Sequence, residues 1–270
     1  MDLSEAFQSV FDSEAGIYPL QIIPTGLKAY GVATTADYDV FSGVHFVSTT
    51  ELLSILEPTH NEVIVALDEN MATIDPLEDP MAVKHYLRSV EIGLWCQAMV
   101  YDGSPLVLEH LDIPFLYRND DFIAFEQPAQ GCLSKLTIGS LVERIESELT
   151  DAGSRAAHPE DRTISLLKIY YGLSQAALIA EKDKFIHEID PLLKYGEESL
   201  GFTLFNDLVV LVEDGEALSR KDMATAKFEA TKALHQLYDL GERSKLPDKT
   251  PTEHAEQLDR ELLTLRRALI

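Results

Sequence analysis

Two acidic residues, Asp37 and Asp39, have the side-chain type and the spacing to do chemistry in this sequence. They begin a β-like stretch that continues to Phe46. Since side chains alternate faces along a strand, both carboxylates would point the same way. Two converging carboxylates can bind Mg²⁺ or Mn²⁺, which prefer oxygen ligands and often join protein carboxylates to substrate phosphates. The pair therefore predicts a divalent-metal site that also binds a nucleoside triphosphate.

A turn at Gly26 precedes this pair and fits the same chemistry. The apolar residues Ile22 and Ile23 lead into the turn. Because glycine has no Cβ, the backbone there can approach phosphate groups closely and present its N–H groups to them. An Asp-x-Asp pattern by itself is more often a solvated strand edge or a turn, so the added glycine is what favours a phosphate site.

The segment that contains these residues resembles a known superfamily. Gly26-Leu27, a spacer of nine residues and Asp37-Tyr38-Asp39-Val40 resemble the signature of the DNA polymerase beta-like nucleotidyltransferases. Within it, Lys28-Ala29-Tyr30-Gly31-Val32-Ala33-Thr34 followed by Asp37-Tyr38-Asp39 is similar to a stretch of the predicted nucleotidyltransferases of bacteria and phages linked to RNA repair pathways. That stretch reads Gly-Ser-Arg-Ala-Tyr-Gly-x-Ala-Thr, then Ser-Asp-Tyr-Asp. The detailed similarity covers about residues 20 to 60, with a looser continuation to about residue 112.

This resemblance implies a fold and a reaction. The fold would be α/β (α+β), a nucleotidyltransferase-like mixed sheet with flanking helices, followed by an all-helical C-terminal domain. The reaction would transfer a nucleoside monophosphate from a nucleoside triphosphate to a hydroxyl group, with release of pyrophosphate. An RNA end is the leading acceptor, and a small molecule or a protein hydroxyl stays open. The predicted site consists of Asp37, Asp39 and Asp75 as catalytic metal ligands, with Gly26, Leu27, Lys28, Tyr30 and Arg88 as nucleotide-binding residues.

Asp75 is the predicted third carboxylate. Residues 71 to 77 form a candidate strand, and a carboxylate on the strand next to the metal strand could share a metal ion and lower the pKa of the acceptor hydroxyl. In the superfamily the third carboxylate precedes a helix, and residues 80 to 90 have a helical pattern. Glu78 and Asp79 are competitors, and an aspartate before Pro76 also fits a simple turn.

Cations near this site would stabilise the charge of the leaving group. On the predicted helix over residues 80 to 90, Lys84 and Arg88 share one face at spacing i,i+4. A solvated basic stripe is the ordinary alternative. Lys28 stands where the family has arginine and keeps the charge without the bidentate fork.

Two positions depart from the family pattern. Leu27 replaces a serine whose hydroxyl helps to bind the triphosphate, and leucine has no hydrogen-bonding group. Tyr170-Tyr171-Gly172-Leu173-Ser174 is the nearest match to a Tyr-His-x-x-Arg element of the helical region, so the histidine and the arginine are both absent. These departures leave a second hypothesis open, in which the fold has lost catalysis and acts as an acidic binding or decoy module.

Charge and cysteine content limit the function classes. The chain has 46 acidic and 22 basic residues, a formal net charge of -24. Without a basic face it is not expected to bind an extended DNA duplex. The 2 cysteines are too few for a disulfide framework, which favours a reducing compartment. No apolar run is long enough for a membrane span and no leader pattern is visible, so a cytoplasmic location is expected.

The hydrophobic pattern predicts three parts. These are a nucleotidyltransferase-like domain over residues 1–112, an irregular connector over 113–131 and a helical domain over 132–270. Residues 199–212 fit a helix or a strand equally well. The other predicted elements are helices over 3–12, 48–56, 91–102, 105–112, 134–149, 162–181, 185–195, 219–240 and from 251 onward, and a strand over 62–67.

Overall fold

The computed structural model describes residues 2–13, 16–33, 38–52, 60–154 and 158–268. These residues form one mixed sheet of six strands in the order β4-β3-β5-β2-β1-β6. Strand β2 is parallel to β5, and the other paired strands are antiparallel. The strands are β1 (Ile17–Pro24), β2 (Asp39–Val47), β3 (Glu62–Leu67), β4 (Thr73–Ile74), β5 (His85–Glu91) and β6 (Tyr117–Arg118).

Helices flank the sheet and make up almost all of the C-terminal half of the described chain. A 3₁₀ turn (Leu27–Tyr30) follows β1, and a π-helical turn (Gly196–Leu200) follows α8. The helices are α1 (Leu3–Ser13), α2 (Thr49–Leu52), α3 (Ile92–Asp102), α4 (Pro105–Asp112), α5 (Ile123–Gln130), α6 (Lys135–Ser154), α7 (Pro159–Lys182), α8 (Ile189–Tyr195), α9 (Phe205–Asp214), α10 (Arg220–Arg243) and α11 (Thr252–Ala268). The predicted fold class, a mixed sheet with flanking helices followed by a helical region, is confirmed.

The core consists of two hydrophobic clusters on opposite faces of the sheet. The smaller cluster places Phe7 and Phe11 of α1 against Phe41 and Leu87 of the central strands. The larger cluster is continuous from β1 and β2 through α3 to α11, with α7 at its centre. This cluster includes residues from before position 113 and from after position 131, so the two predicted domains share one hydrophobic core. The boundary between them stays a prediction.

The last helix is fastened to the sheet by a buried ion pair. Arg266 of α11 donates from Nη2 to Oε1 of Glu91 at 3.0 Å, and its guanidinium lies 5.7 Å from the ring centre of Phe46. Glu91 also accepts from the backbone N–H of Gly93 at 2.6 Å and so caps α3. The sheet, α3 and α11 therefore meet at one carboxylate.

The helix predicted over residues 80–90 is wrong, because this segment contains strand β5. Lys84 and Arg88 share a face at i,i+4 in a helix, but residues four apart also share a face in a strand. Alternating burial distinguishes a strand from a helix here: Leu87 and Ser89 are buried, whereas Arg88 between them is exposed. Pairing with β2 on one side and β3 on the other settles the segment as a central strand.

Other predicted elements differ from the structure in smaller ways. The segment over 113–131 is ordered into β6, a 3₁₀ turn (Asp120–Phe122) and α5, because the aromatic rings of Phe122 and Phe125 are buried in the larger cluster. Most of the ambiguous segment over 199–212 is helical, within α9. Residues 53–59, which would complete the helix after Ser48, lie outside the described residues. No described helix has both the length and the apolar composition to cross a bilayer.

A glycine pair tests the junction between α3 and α6. Gly103 ends α3 at φ +59°, and a Cβ there would lie 2.6 Å from backbone atoms of Leu136 and Thr137. We expect Gly103→Ala to lower the free energy of unfolding by about 2 kcal/mol or more, because both the conformation and the contact reject a side chain. Gly139→Ala is the control. Gly139 lies in helix α6 with open space around it, so alanine there should raise stability by about 0.5 to 1 kcal/mol. Denaturant titrations of both variants give the comparison, and equal effects would contradict the described junction.

Candidate functional site

The turn after β1 has a backbone conformation that favours glycine. Gly26 has φ +75° and ψ -167°, a conformation that L-residues rarely adopt, although a Cβ would meet no atom within 4 Å. The backbone N–H of Thr25 donates to the carbonyl of Val40 at 2.9 Å and ties the turn to the start of β2. The Gly26 turn and the start of β2 therefore lie side by side.

Asp39 and Lys28 face each other beside this turn. Nζ of Lys28 donates to Oδ1 of Asp39 at 2.6 Å, and Nδ1 of His85 lies 3.4 Å from Oδ2. Both members of the pair are partly exposed, with 43% of the lysine side chain and 38% of the aspartate side chain accessible. The predicted partner Asp37 lies outside the described residues. Within them, no three histidine, cysteine or acidic side chains form a group that could hold a metal ion.

The structure does not place Asp75 next to Asp39. The strands beside β2 are β5 and β1, and β3 separates β5 from the edge strand β4, which precedes Asp75. Thr73, Leu67, His85 and Asp39 are register partners in one row across the sheet, so roughly 14 Å separates Thr73, at the start of β4, from Asp39. The carboxylate of Asp75 accepts from the backbone N–H of Leu77 at 2.8 Å and forms a local turn.

A cavity of about 610 Å³ lies between the sheet and the helical half. Gly26, Leu27, Tyr30 and Arg88 line it, so the structure brings four of the predicted nucleotide-binding residues to one site. Asp39 does not line the cavity, whereas its neighbour Val40 does. Additional lining residues come from α3, α4, α6 and α7, among them Trp95, Glu109, His110, Leu141, Arg144, Lys168 and Tyr171.

Leu27 and Tyr30 contribute to this cavity differently. Leu27 is only 5% exposed and packs in the larger hydrophobic cluster. The ring of Tyr30 stacks on Tyr171 of α7 with centroids 4.0 Å apart and an interplanar angle of 13°. Its phenol donates to Oε1 of Glu109, and burial raises the pKa of both groups. Tyr30 therefore joins the motif segment to the helical half.

His110 forms the polar part of the cavity wall together with two strand residues. Nδ1 lies 2.8 Å from Oε1 of Gln21, and Nε2 lies 2.9 Å from Oγ of Ser42. Burial lowers the pKa of His110 to about 3, so its ring is neutral at physiological pH. His45, on the other face of β2, is also buried, and its pKa falls to about 4 for the same reason.

Three cationic side chains line the cavity. Arg88 forms a bidentate pair with Glu62 across β5 and β3, and Nε of Arg144 donates to Glu148 at 3.2 Å. Lys168 has no ion-pair partner within the described parts of the chain. The acidic residues Glu109 and Glu148 line the same cavity, so its wall has charges of both signs.

Comparison with known proteins gives little. No family model matches this chain, and no curated protein sequence matches it. Among solved structures, it is similar to the crystal structure of a nucleotidyltransferase-like protein from Exiguobacterium sibiricum 255-15 at 1.90 Å resolution. The two chains are 9% identical, the match covers 99% of this chain and 80% of the other, and the TM-score is 0.34. A TM-score this low carries no argument about function.

Sequence reasoning missed Trp95, Glu109, His110 and Arg144. Glu109 and His110 are both buried inside the short helix α4, which is uncommon for an acidic residue, but their burial cannot be seen from the two residue types alone. Nothing in the sequence indicates that Arg144, which is exposed on α6, borders the same cavity. Tyr171, which stands where the resembling family has histidine, lies against both the core and the cavity.

The neutral His110 predicts how stability depends on pH. Its pKa is about 3 in the folded chain and 6.5 ordinarily, so between these values the unfolded chain binds a proton that the folded chain does not. The free energy of unfolding should therefore fall as pH falls through this window, by up to about 1.4 kcal/mol per pH unit from this group. We expect His110→Gln to reduce that slope between pH 6 and 4 in denaturant titrations. His235→Gln, at an exposed position of α10, is the control and should leave the slope unchanged.

Proposed function

We propose that this chain binds a nucleoside triphosphate beside the Gly26 turn and is a metal-dependent nucleotidyltransferase. It would transfer a nucleoside monophosphate to a hydroxyl acceptor, with an RNA end as the leading candidate. The observation that carries the proposal is that Gly26, Leu27 and Tyr30, three residues of the motif segment, line one cavity of about 610 Å³. That volume lies within the range of small-molecule sites, about 300 to 1,000 Å³.

The cations that line the cavity support a phosphate-bearing ligand. Arg88, Arg144 and Lys168 line it together with the acidic residues Glu109 and Glu148, and Arg88 and Arg144 are already paired with Glu62 and Glu148. Cations that are already in place stabilise the charge that develops on a leaving pyrophosphate. Lys168 is available for this, because its ammonium group has no acidic partner in the described parts of the chain.

Asp37 and Asp39 would bind the divalent cation. Mg²⁺ in such sites usually takes one or two carboxylates together with substrate phosphates and water, and Asp39 fits this requirement. The ion would supply electrostatic stabilisation of the phosphates. Its binding competes with Lys28 for Oδ1 of Asp39, and a released Lys28 would be free to contact phosphate. Asp75 is not part of this proposal, because it follows β4, and β3 and β5 lie between β4 and the strand of Asp39.

A second candidate function is that of an acidic binding or decoy module. Two observations favour it. Leu27 is buried in the hydrophobic cluster where the resembling family has a phosphate-binding hydroxyl. The carboxylate of Asp39 is already neutralised by Lys28. In this function the acidic surface would bind a basic partner and the cavity would bind no nucleotide.

Nucleotide binding predicts a rise in melting temperature. A nucleoside triphosphate with Mg²⁺, at about 100 times its dissociation constant, should raise the melting temperature by roughly 5 °C, because it binds only the folded chain. Asp37→Asn and Asp39→Asn should each remove most of this shift. Asp75→Asn is the matched control and should keep it. If no nucleotide shifts the melting temperature, the binding or decoy function is favoured instead.

The transfer reaction has its own readout. Incubation with labelled ATP, CTP, GTP and UTP and a pool of RNA ends should yield RNA extended by one nucleotide, with release of pyrophosphate. Asp39→Asn should abolish the product, because the metal loses a charged ligand. Binding of nucleotide without any labelled product from RNA would contradict the RNA acceptor and direct the search to small-molecule or protein hydroxyls.

A further inference from the structure

Two carboxylates are buried within the described parts of the chain, and only one of them has a counter-ion. Glu91 is 3% exposed, and Arg266 pairs with it at 3.0 Å. Glu109 is 6% exposed, and its one hydrogen-bond donor among the described residues is the phenol of Tyr30, a neutral group. Because burial disfavours a charge that has no partner, buried carboxylates are normally paired with a cation. Glu109 departs from this rule.

The second oxygen of Glu109 opens into the cavity. Oε1 accepts from Tyr30, and no described residue donates to Oε2. The side-chain atoms that are both inaccessible and unpaired include the indole nitrogen of Trp95 but not Oε2 of Glu109. Since Glu109 lines the cavity, Oε2 is accessible from there. A ligand in the cavity can therefore reach a carboxylate oxygen that has no partner.

Three cations line the same cavity, and none of them forms an ion pair with Glu109. Arg88 and Arg144 are bound to other acids, and Lys168 has no ion-pair partner among the described residues. The charge of Arg144 lowers the pKa of Glu109, but burial has the larger effect and raises it. The surroundings of Glu109 therefore lack a fully compensating positive charge.

The rest of the cavity wall does not select the charge of a ligand. Neutral polar groups, which can bond to ligands of many kinds, belong to Thr25, Ser42, Tyr86, Ser104, His110 and Gln175. The second acid of the wall, Glu148, is already paired with Arg144. Aliphatic side chains cover much of the remaining wall, among them Leu27, Val90, Leu94, Val107, Leu141 and Ile145. Such a wall suits the apolar body of a small molecule.

We infer that the cavity binds a small organic amine, whose ammonium group pairs with Oε2 of Glu109 and whose apolar body contacts the aliphatic and aromatic wall. This goes beyond the proposed function, because a nucleoside triphosphate has no ammonium group. A protonated amine supplies the hydrogen-bond donor and the positive charge that Oε2 lacks. A metal ion fits less well, since no three acidic, histidine or cysteine side chains of the described residues come together to hold one.

A charge series on one carbon skeleton tests this inference. Phenethylamine, phenethyl alcohol and phenylacetate share a phenyl ring and two further carbons, and they are cationic, neutral and anionic. In calorimetric titrations of the full chain without nucleotide, phenethylamine should bind about tenfold more tightly than the alcohol, because a hydrogen bond between charged groups is the stronger one. Phenylacetate should bind most weakly of the three, since the carboxylate of Glu109 repels it.

Trp95 shows where the amine binds, because it lines the cavity and is the only tryptophan of the chain. We expect phenethylamine to change the Trp95 fluorescence over the same concentration range in which heat is released or absorbed. Binding heat without any change of this fluorescence would place the amine elsewhere on the chain and overturn the inference.

Two matched variants test the carboxylate. Glu109→Gln keeps an oxygen for the phenol of Tyr30 and removes the charge, so it should bring the ratio of amine to alcohol affinity close to one. Glu229→Gln makes the same change at a second tyrosine–glutamate pair, where Tyr170 donates to Glu229 at 2.7 Å away from the cavity, and should leave that ratio unchanged. If Glu109→Gln does not fold, the charge series on the natural chain decides alone.

The outcomes separate this inference from the proposed function. Equal affinities for the amine and the alcohol would mean that Glu109 attracts no cation, and the inference would be wrong. Tightest binding of phenylacetate would overturn it too, because the cations of the wall would then dominate. The charge series contains no phosphate and needs no Mg²⁺, so its result does not depend on the melting-temperature test with nucleotides, and either proposal can fail by itself.

Discussion

The buried imidazole of His110 is the constraint on which the site depends. A neutral ring away from water needs partners for both nitrogens, and it finds them on Gln21 of β1 and Ser42 of β2. Gln21 in return donates to the backbone carbonyl of His110, so helix α4 is held to the sheet through three hydrogen bonds. Any shift of α4 along the strands would leave at least one buried polar group unpaired. The hydrogen bonds of His110 therefore fix this part of the cavity wall as much as apolar packing does.

Charge is distributed differently over the surface of the chain and around the cavity. The chain as a whole is strongly acidic, and most of its carboxylates face solvent. Around the cavity, cations from β5, α6 and α7 lie together with two acidic residues, Glu148 and the buried Glu109, which is bonded to Tyr30. Most of the surface would therefore repel an anion, whereas the wall of the cavity has charges of both signs.

The sequence correctly predicts the elements whose hydrophobic pattern fits only one type of secondary structure. The β-branched run over residues 62–67 and the apolar run over 162–181 are a strand and a helix, as expected. The helix predicted over residues 80–90 is wrong, because residues spaced i,i+4 share a face in a helix and also in a strand. Only the pairing with β2 and β3 distinguishes the two structures. Asp75 was expected on a strand next to that of Asp39 because strand order cannot be read from local pattern. The motif residues Gly26, Leu27 and Tyr30 were found by resemblance, whereas Trp95, Glu109 and Arg144 reach the cavity from separate helices and have no shared spacing.

The stacked pair of Tyr30 and Tyr171 has a consequence for the architecture as a whole. One ring comes from the motif segment and the other from α7, and the remaining lining of the cavity is divided in the same way between residues before 113 and residues after 131. Neither half encloses the space by itself. A cut within 113–131 would therefore divide both the larger hydrophobic cluster and the wall of the cavity between two pieces.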